Sequence, residues 1–346
     1  MSRAGLRHPE ELLGPVGLVV AAALLGTLVS ISTQTYFTDT LVKVSIVVAL
    51  YVFIGNSGVV SFGHISFVAL GAWTAGVLTV PPSEKPAIMP NLASALLHRH
   101  VGNVESLVLA SIVGGVIAFA VGIPLMRLSG LAAGIATFAV LEITHNLLQY
   151  EERIGPGLNA FSSVPETTGL RQAAIGAVVC IVVAFAYSRS RYGRLLRAMR
   201  EDHAAARAVG ASVYRQRLVA FTVSGFLAGL AGGMYVHLLP VNVGFVYLDL
   251  TFVTLAMLVV GGATSLFGAV VGALGVSALD SWLAVAENGT SLFGWHIDLP
   301  AGTREIVVSV LMALVLILKP SGLTGGREFR LRGRAPWRAS ASQAQA

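Results

Sequence analysis

Residues 188–210 read SRSRYGRLLRAMREDHAAARAVG. Arg189, Arg191, Arg194, Arg197, Arg200 and Arg207 stand here beside Glu201 and Asp202, with apolar runs on both sides. A charged side chain at the middle of a bilayer costs about 2.5–3.5 kcal/mol on insertion scales, so this stretch lies outside the hydrocarbon. Short cytoplasmic loops carry the excess Lys and Arg of membrane proteins, and the arginines therefore place it on the cytoplasmic side.

The rest of the chain avoids charge. Charged residues make up 12% of the 346 residues, 55% are hydrophobic, and the mean hydropathy is +0.77. Soluble domains carry about 25% charged residues, so a polytopic α-helical membrane protein is expected. The apolar runs are continuous, which argues against the alternating strands of a β-barrel. The net charge of +6 reports basic cytoplasmic loops, and nucleic acid is not an expected partner. The single cysteine, Cys180, excludes an intrachain disulfide and a cysteine-based metal site. No metal site is expected.

Ten spans are expected, over about 15–31, 40–55, 61–80, 104–124, 130–149, 171–187, 218–237, 250–266, 268–286 and 303–318. The first could be a signal-peptide core, and is read as a retained helix because everything downstream is also membrane. Residues 1–14 form a cytoplasmic head and 15–318 the transmembrane domain, including a cytoplasmic loop over 188–217. The basic tail over 319–346 is expected to be disordered near anionic headgroups. With ten spans, both termini are cytoplasmic. Lys85, Arg99, Arg153, Arg171 and Arg304 fall outside, Lys43 lies within a span, and the remaining 17 of the 23 Lys and Arg lie inside.

Besides the glycine-containing turn Gly261-Gly-Ala-Thr-Ser-Leu-Phe-Gly268, three stretches are candidates for function. In the first, Gly55, Gly58 and Gly63 alternate with Asn56, Ser57, Ser61, His64 and Ser66 between two apolar runs. Glycine-interrupted polar backbone at membrane depth is tolerated where it is buried in protein or lines a watery cavity. The stretch is therefore either part of a substrate path or a cytoplasmic-side turn with packing serines and a satisfied histidine. The second is a set of ionisable residues within spans: Lys43, Glu142, His145 and Asp280. Glu142 and His145 are three apart and share a helix face. The third is the charged loop, where Arg200, Glu201, Asp202, Ala204, Ala205, Ala206 and Gly210 read as a short helix. Asp202 would cap its start and Gly210 end it. So alanine-rich a helix is marginal alone and calls for a docking surface. Phosphate-binding loops, zinc-protease motifs and nucleophile elbows are absent, so the chain is expected to do no chemistry itself.

The stretch Asn56-x-Gly58-x-x-Ser61-Phe-Gly-His64, continuing to Gly71-Ala-Trp73, resembles the LivM-type permeases of branched-chain amino acid ABC transporters. Arg191-Tyr-Gly-Arg-Leu-Leu-Arg-Ala-Met-Arg-Glu-Asp202 and Ala204-Ala-Ala-Arg-Ala-Val-Gly210 resemble the same family's cytoplasmic loop, as do Leu255–Gly262 and Lys319-Pro-Ser-Gly-Leu323. The resemblance covers about residues 40–325. It implies an all-α ABC importer permease fold in the inner membrane, without cofactor, since ATP is bound by two partner ATPases. It also implies a second, LivH-like permease subunit and an external substrate-binding protein. The 200–210 helix becomes the coupling helix. Where the family has Gly and Pro, this chain has Thr264 and Ala269, which leaves a tight backbone approach at the 261–265 turn in question. Urea or short-chain amide permeases share these motifs. A different class, an ATP-independent secondary transporter, would use Lys43, Glu142, His145 and Asp280 as a proton relay.

Overall fold

The computed structural model describes residues 10–201, 212–287, 290–292, 295–297, 300, 302–319 and 321–329. Among the described residues, ten longer helices overlap in order the stretches expected as spans: α1 (Glu10–Thr27), α2 (Ile31–Ser57), α3 (His64–Thr79), α6 (Asn103–Leu125), α7 (Leu131–Tyr150), α8 (Leu170–Arg189), α10 (Val213–Val236), α11 (Leu248–Gly261), α12 (Leu266–Glu287) and α13 (Thr303–Leu318). Seven of them are long and apolar enough to cross a membrane, while α3, α11 and α13 are 16, 14 and 16 residues. Short helices α4 (Lys85–Ile88) and α5 (Ser94–Leu97) sit between α3 and α6, and α9 (Arg191–Glu201) follows α8. A small antiparallel hairpin, β1 (Thr290–Leu292) with β2 (Trp295–Ile297), lies between α12 and α13.

The bundle closes around α2 and α10. Over their most apolar windows 83% and 72% of residues are buried, against 17% for α1 and 33% for α7. Small residues make this possible: Gly71 and Gly232 bring α3 against α10, while Gly114 faces Gly225 and Gly229 between α6 and α10. In lipid such residues let backbones approach closely enough for dispersion to hold helices together.

Contacts at the two ends show that neighbouring helices run in opposite directions. At one end, Arg189 at the close of α8 pairs with Glu11 at the start of α1, and Arg217 at the start of α10 donates to the Leu128 carbonyl just past α6 (3.1 Å). At the other, His237 past α10 meets Ser106 near the start of α6 (3.2 Å), and the Arg304 amide at the start of α13 donates to Glu287 at the end of α12 (2.8 Å). The second end also carries the 81–103 and 150–170 connections. Lys85 is fully buried there and donates to the carbonyls of Leu96 (2.8 Å) and Arg99. Phe161 is buried against Trp73, and its amide donates to the Val241 carbonyl (3.0 Å).

Part of the tail expected to be disordered is instead packed. Residues 321–329 fold back on the turn between α11 and α12: the Leu323 amide donates to Val260 (2.8 Å) and the Thr324 hydroxyl to Gly261 (2.8 Å). Gly322, at φ +75°, rests on Gly262, at φ +118°, where side chains have no room. Residues 330–346 lie outside the described residues.

Candidate functional site: the interrupted helix and the charged loop

Gly58 ends α2 in the left-handed conformation (φ +69°), with its amide on the Ile54 carbonyl at 2.9 Å. This is the C-terminal stop that glycine supplies without a Cβ penalty. Helix α3 restarts at His64, so residues 58–63 form a six-residue interruption at the end where the charged loop lies. Its polar side chains turn inward. His64 Nδ1 lies 2.8 Å from Ser61 Oγ, and its ring sits among Phe53, Phe67 and Phe221 at centroid distances of 5.3, 6.0 and 5.2 Å. Asn56 Nδ2 donates to Val52 O (3.0 Å), and Ser57 Oγ accepts from the Val59 amide (3.2 Å). Gly63 lets the chain approach the Thr137 carbonyl on α7, and the Phe62 amide donates to the Thr137 hydroxyl (3.2 Å).

Within the single chain this stretch does not line an open path. Asn56, Ser57, Ser61, Gly63, His64 and Ser66 are buried, Val59 and Phe62 are half-buried, and Gly58 and Val60 are exposed. The reason is that its glycines bring backbones together instead of opening a cavity. The packed node is nonetheless incompletely satisfied: Asn56 Oδ1, His64 Nε2 and Ser66 Oγ have no hydrogen-bond partner. Buried polar atoms of this kind cost free energy until water or a changed packing reaches them.

The charged loop touches this node directly. Helix α9 buries Gly193, Leu196 and Met199 on one face, and Arg197 ties it to the Ser188 carbonyl (2.7 Å). At its last turn Arg200 Nη1 donates to the Gly55 carbonyl (2.7 Å), while its aliphatic stem lies over Gly58. A cation on the last carbonyls of a helix is favourable both as a hydrogen bond and against the macrodipole. Arg200 and Glu201, expected to open a helix over 200–210, instead close α9 and pair with each other at 2.8 Å. Asp202, Ala204, Ala205, Ala206 and Gly210 lie outside the described residues.

The ionisable residues within spans fall into two groups. Lys43 pairs with Asp280 (3.2 Å) and with Asp39 (2.8 Å), and Arg304 pairs with the other oxygen of Asp280 (3.3 Å). On α7, Glu142 accepts from Asn146 (2.8 Å) and from the Tyr247 hydroxyl, and His145 stacks on the Tyr247 ring at 3.9 Å. Among the described residues no hydrogen bond or ion pair joins the two groups, so the expected four-residue relay is not assembled. Asp39 escaped the sequence reading although it stands one turn before Lys43, a spacing at which opposite charges meet. Arg304, Tyr247 and Asn146 gave no such signal.

The 261–268 turn is tight despite Thr264 and Ala269. Gly261 packs on the Gly268 carbonyl and on Gly272. Glu328 of the folded-back tail accepts the amides of Leu266 (2.8 Å) and Phe267 (3.2 Å), capping the first turn of α12. Burial pushes the Glu328 carboxyl above the ordinary glutamate range, against the opposing effect of those two amides.

Residues 32–318 match the family described as branched-chain amino acid transport system / permease component. The chain belongs to that family. It is 27% identical to the high-affinity branched-chain amino acid transport system permease protein LivM of Escherichia coli K12, over 89% of this chain and 73% of that protein. The probable branched-chain amino acid transport permease LivM of Methanocaldococcus jannaschii is also 27% identical, over 63% and 67% of the two chains. The autoinducer 2 import permease LsrC of an Enterobacter strain is 28% identical over 46% of each. No solved structure matches. This branched-chain transport permease is a membrane subunit of an ABC importer, a multi-pass protein of the inner membrane. The interrupted helix, both ionisable groups and the 261–268 turn all lie inside the matched region, and the folded-back tail lies just beyond it.

Proposed function

We propose that this permease carries branched-chain or other apolar amino acids inward, using ATP hydrolysed by two partner ATPases, and performs no chemistry itself. It crosses the membrane ten times with both termini in the cytoplasm, pairs with a second, LivH-like permease, and receives substrate from an external binding protein. The amino-acid class comes from the relatives, and a nearly neutral path suits zwitterions of zero net charge. The observation that carries the coupling mechanism is Arg200. Through Gly55 and Gly58 it joins the charged loop to the interruption between α2 and α3. A push on the segment 202–210 by a closing ATPase would pull on the end of α2. The under-satisfied node around Asn56, His64 and Ser66 is then the place where packing changes during alternating access.

Co-purification from native membranes and ATP-driven leucine uptake in proteoliposomes test this reading. Two ATPases and a second permease should accompany the chain, and leucine should accumulate only with ATP and the binding protein. Ala205→Glu or Gly210→Val should abolish uptake while the assembled complex still hydrolyses ATP. A chain that purifies alone and moves solute without ATP would overturn the proposal.

A further inference from the structure

At the end of the bundle opposite the charged loop, α8 opens with Arg171, an exposed cation on a helix long and apolar enough to cross a membrane. Among the described residues its guanidinium makes no hydrogen bond or ion pair. A long cationic side chain near the end of a membrane helix reaches for the headgroup layer, so Arg171 stands at the membrane boundary. It borders a cavity of about 810 Å³ between α6 and α8. At the starts of the two helices Asn103 Nδ2 donates to Gln172 Oε1 (2.9 Å). Below that bond they part, and Leu230 and Met234 of α10 form the floor of the gap. Gly176 makes room for Met234, whose sulfur occupies the place a side chain would take.

The groove has a charge at one end and hydrocarbon along its length. Thr27, Gln34, Thr167 and Gln172 join Arg171 at the helix ends, whereas Val108, Ile175 and Val179, all exposed, give it aliphatic walls. From Arg171 to Val179 it follows α8 for about 12 Å, at about 1.5 Å per residue. No carboxylate among the lining residues answers Arg171, so the unmet charge is positive. Nor does a Phe, Tyr or Trp line it, the kind of rigid anchor that centres a protein–protein contact. The cavity between α1 and α12 differs in this respect, being bordered by Tyr36, Phe37 and Trp282. An occupant that suits both ends carries an anionic head and a flexible hydrocarbon chain, and reaches the groove from the bilayer.

We infer that this groove holds an acyl chain of an anionic phospholipid whose phosphate rests on Arg171. The guanidinium presents paired donors that match two phosphate oxygens, and the chain runs past Ile175 and Val179 over Met234. Such a site requires only that α6 and α8 cross the membrane; it involves neither the substrate path nor the coupling loop.

The test is photolabelling of the intact importer in phosphatidylcholine nanodiscs doped with a phosphatidylglycerol that carries a diazirine on one acyl chain. Labelled residues are mapped by mass spectrometry. Label should concentrate on Val108, Ile175 and Val179, and exceed that on Phe138 and Ile143, which are exposed on α7 and do not border the groove. Arg171→Gln should lower groove labelling about fivefold, the size expected for one cation facing an anionic lipid. Ile175→Trp, which fills the slot, should also lower it. Arg99→Gln removes an exposed cation of the same end that does not border the groove, and should change nothing. Assembly of every variant is checked by size exclusion. A phosphatidylcholine bearing the same diazirine should label the groove about fivefold less. Equal labelling of the groove and α7 marks ordinary boundary lipid and would overturn the site, as would undiminished labelling in Arg171→Gln. So would a groove that takes no label while Ile175→benzoylphenylalanine crosslinks to another subunit, which assigns the face to a protein partner.

Discussion

A Cβ built on Gly232 would fall onto the Val68 carbonyl, and one built on Gly71 onto Gly229, so α3 and α10 touch backbone to backbone. Neither wall can yield by rotating a side chain. Gly232→Ala should therefore destabilise the bundle by about 1–3 kcal/mol, the usual cost of overpacking, and lower the thermal midpoint in detergent. Gly17→Ala, where nothing lies within 4 Å, should leave the midpoint unchanged. Glu328 makes a second prediction at this scale. Its carboxyl is held above the ordinary glutamate range by burial, so the docked tail binds a proton more tightly than the released one. Docking is then strongest below the ordinary glutamate pKa and weakens as pH rises through the raised value. A spin label at Arg327→Cys, with Cys180 buried and unreactive, should become more mobile over that window. Glu328→Gln, which cannot ionise, should show no such change; a pH-independent line shape in the parent would count against the assignment.

At the scale of elements, most of the helices were readable and their ends were not. The expected second span began at residue 40, yet α2 starts at Ile31. Thr33, Gln34, Thr38, Asp39 and Thr40 look too polar for a span. Inside the helix the threonine hydroxyls are satisfied locally, Thr38 and Thr40 donating to the carbonyls of Gln34 (2.9 Å) and Tyr36 (2.8 Å), and one oxygen of Asp39 holds Lys43. The interruption at Gly55–Gly63 was legible from its glycines, but its burial was not, because whether such backbone lines a cavity depends on what α7 and α10 bring to it. Nor could the sequence reveal that α9 would deliver Arg200 to the end of α2, since the partners are 145 residues apart. That contact predicts a phenotype. Arg200→Ala should leave the complex assembled but reduce the stimulation of ATPase activity by loaded binding protein about fivefold or more, the usual size of a coupling energy between sites. Arg200→Lys, which keeps the charge and loses the forked geometry, should fall between. Unchanged stimulation in both variants would remove Arg200 from the coupling route.

For the whole molecule, charge asymmetry and helix contacts bear on different questions. The contacts fix which helix ends lie together: the starts of α1 and α10, the ends of α2, α6 and α8, and the tail at 321–329 share one end of the bundle. They do not say which end faces the cytoplasm. We propose that the end carrying α9 faces the cytoplasm, because Arg189, Arg191, Arg194, Arg197 and Arg200 stand there while the opposite end carries only scattered cations. Combining the two gives a prediction that neither makes alone. A cysteine at Leu158, exposed in the 150–170 connection, should react with a membrane-impermeant maleimide in intact cells. Cysteines at Leu323 and Tyr192, both exposed at the other end, should react only after the membrane is opened. The two positions test separate things. If Leu158 and Tyr192 exchange behaviour while Leu323 follows Tyr192, the molecule is inverted and the arginine argument fails. If Tyr192 and Leu323 separate, the tail does not fold back to the loop's side, and the alternation of helices that places α13 opposite α12 is what has to be abandoned.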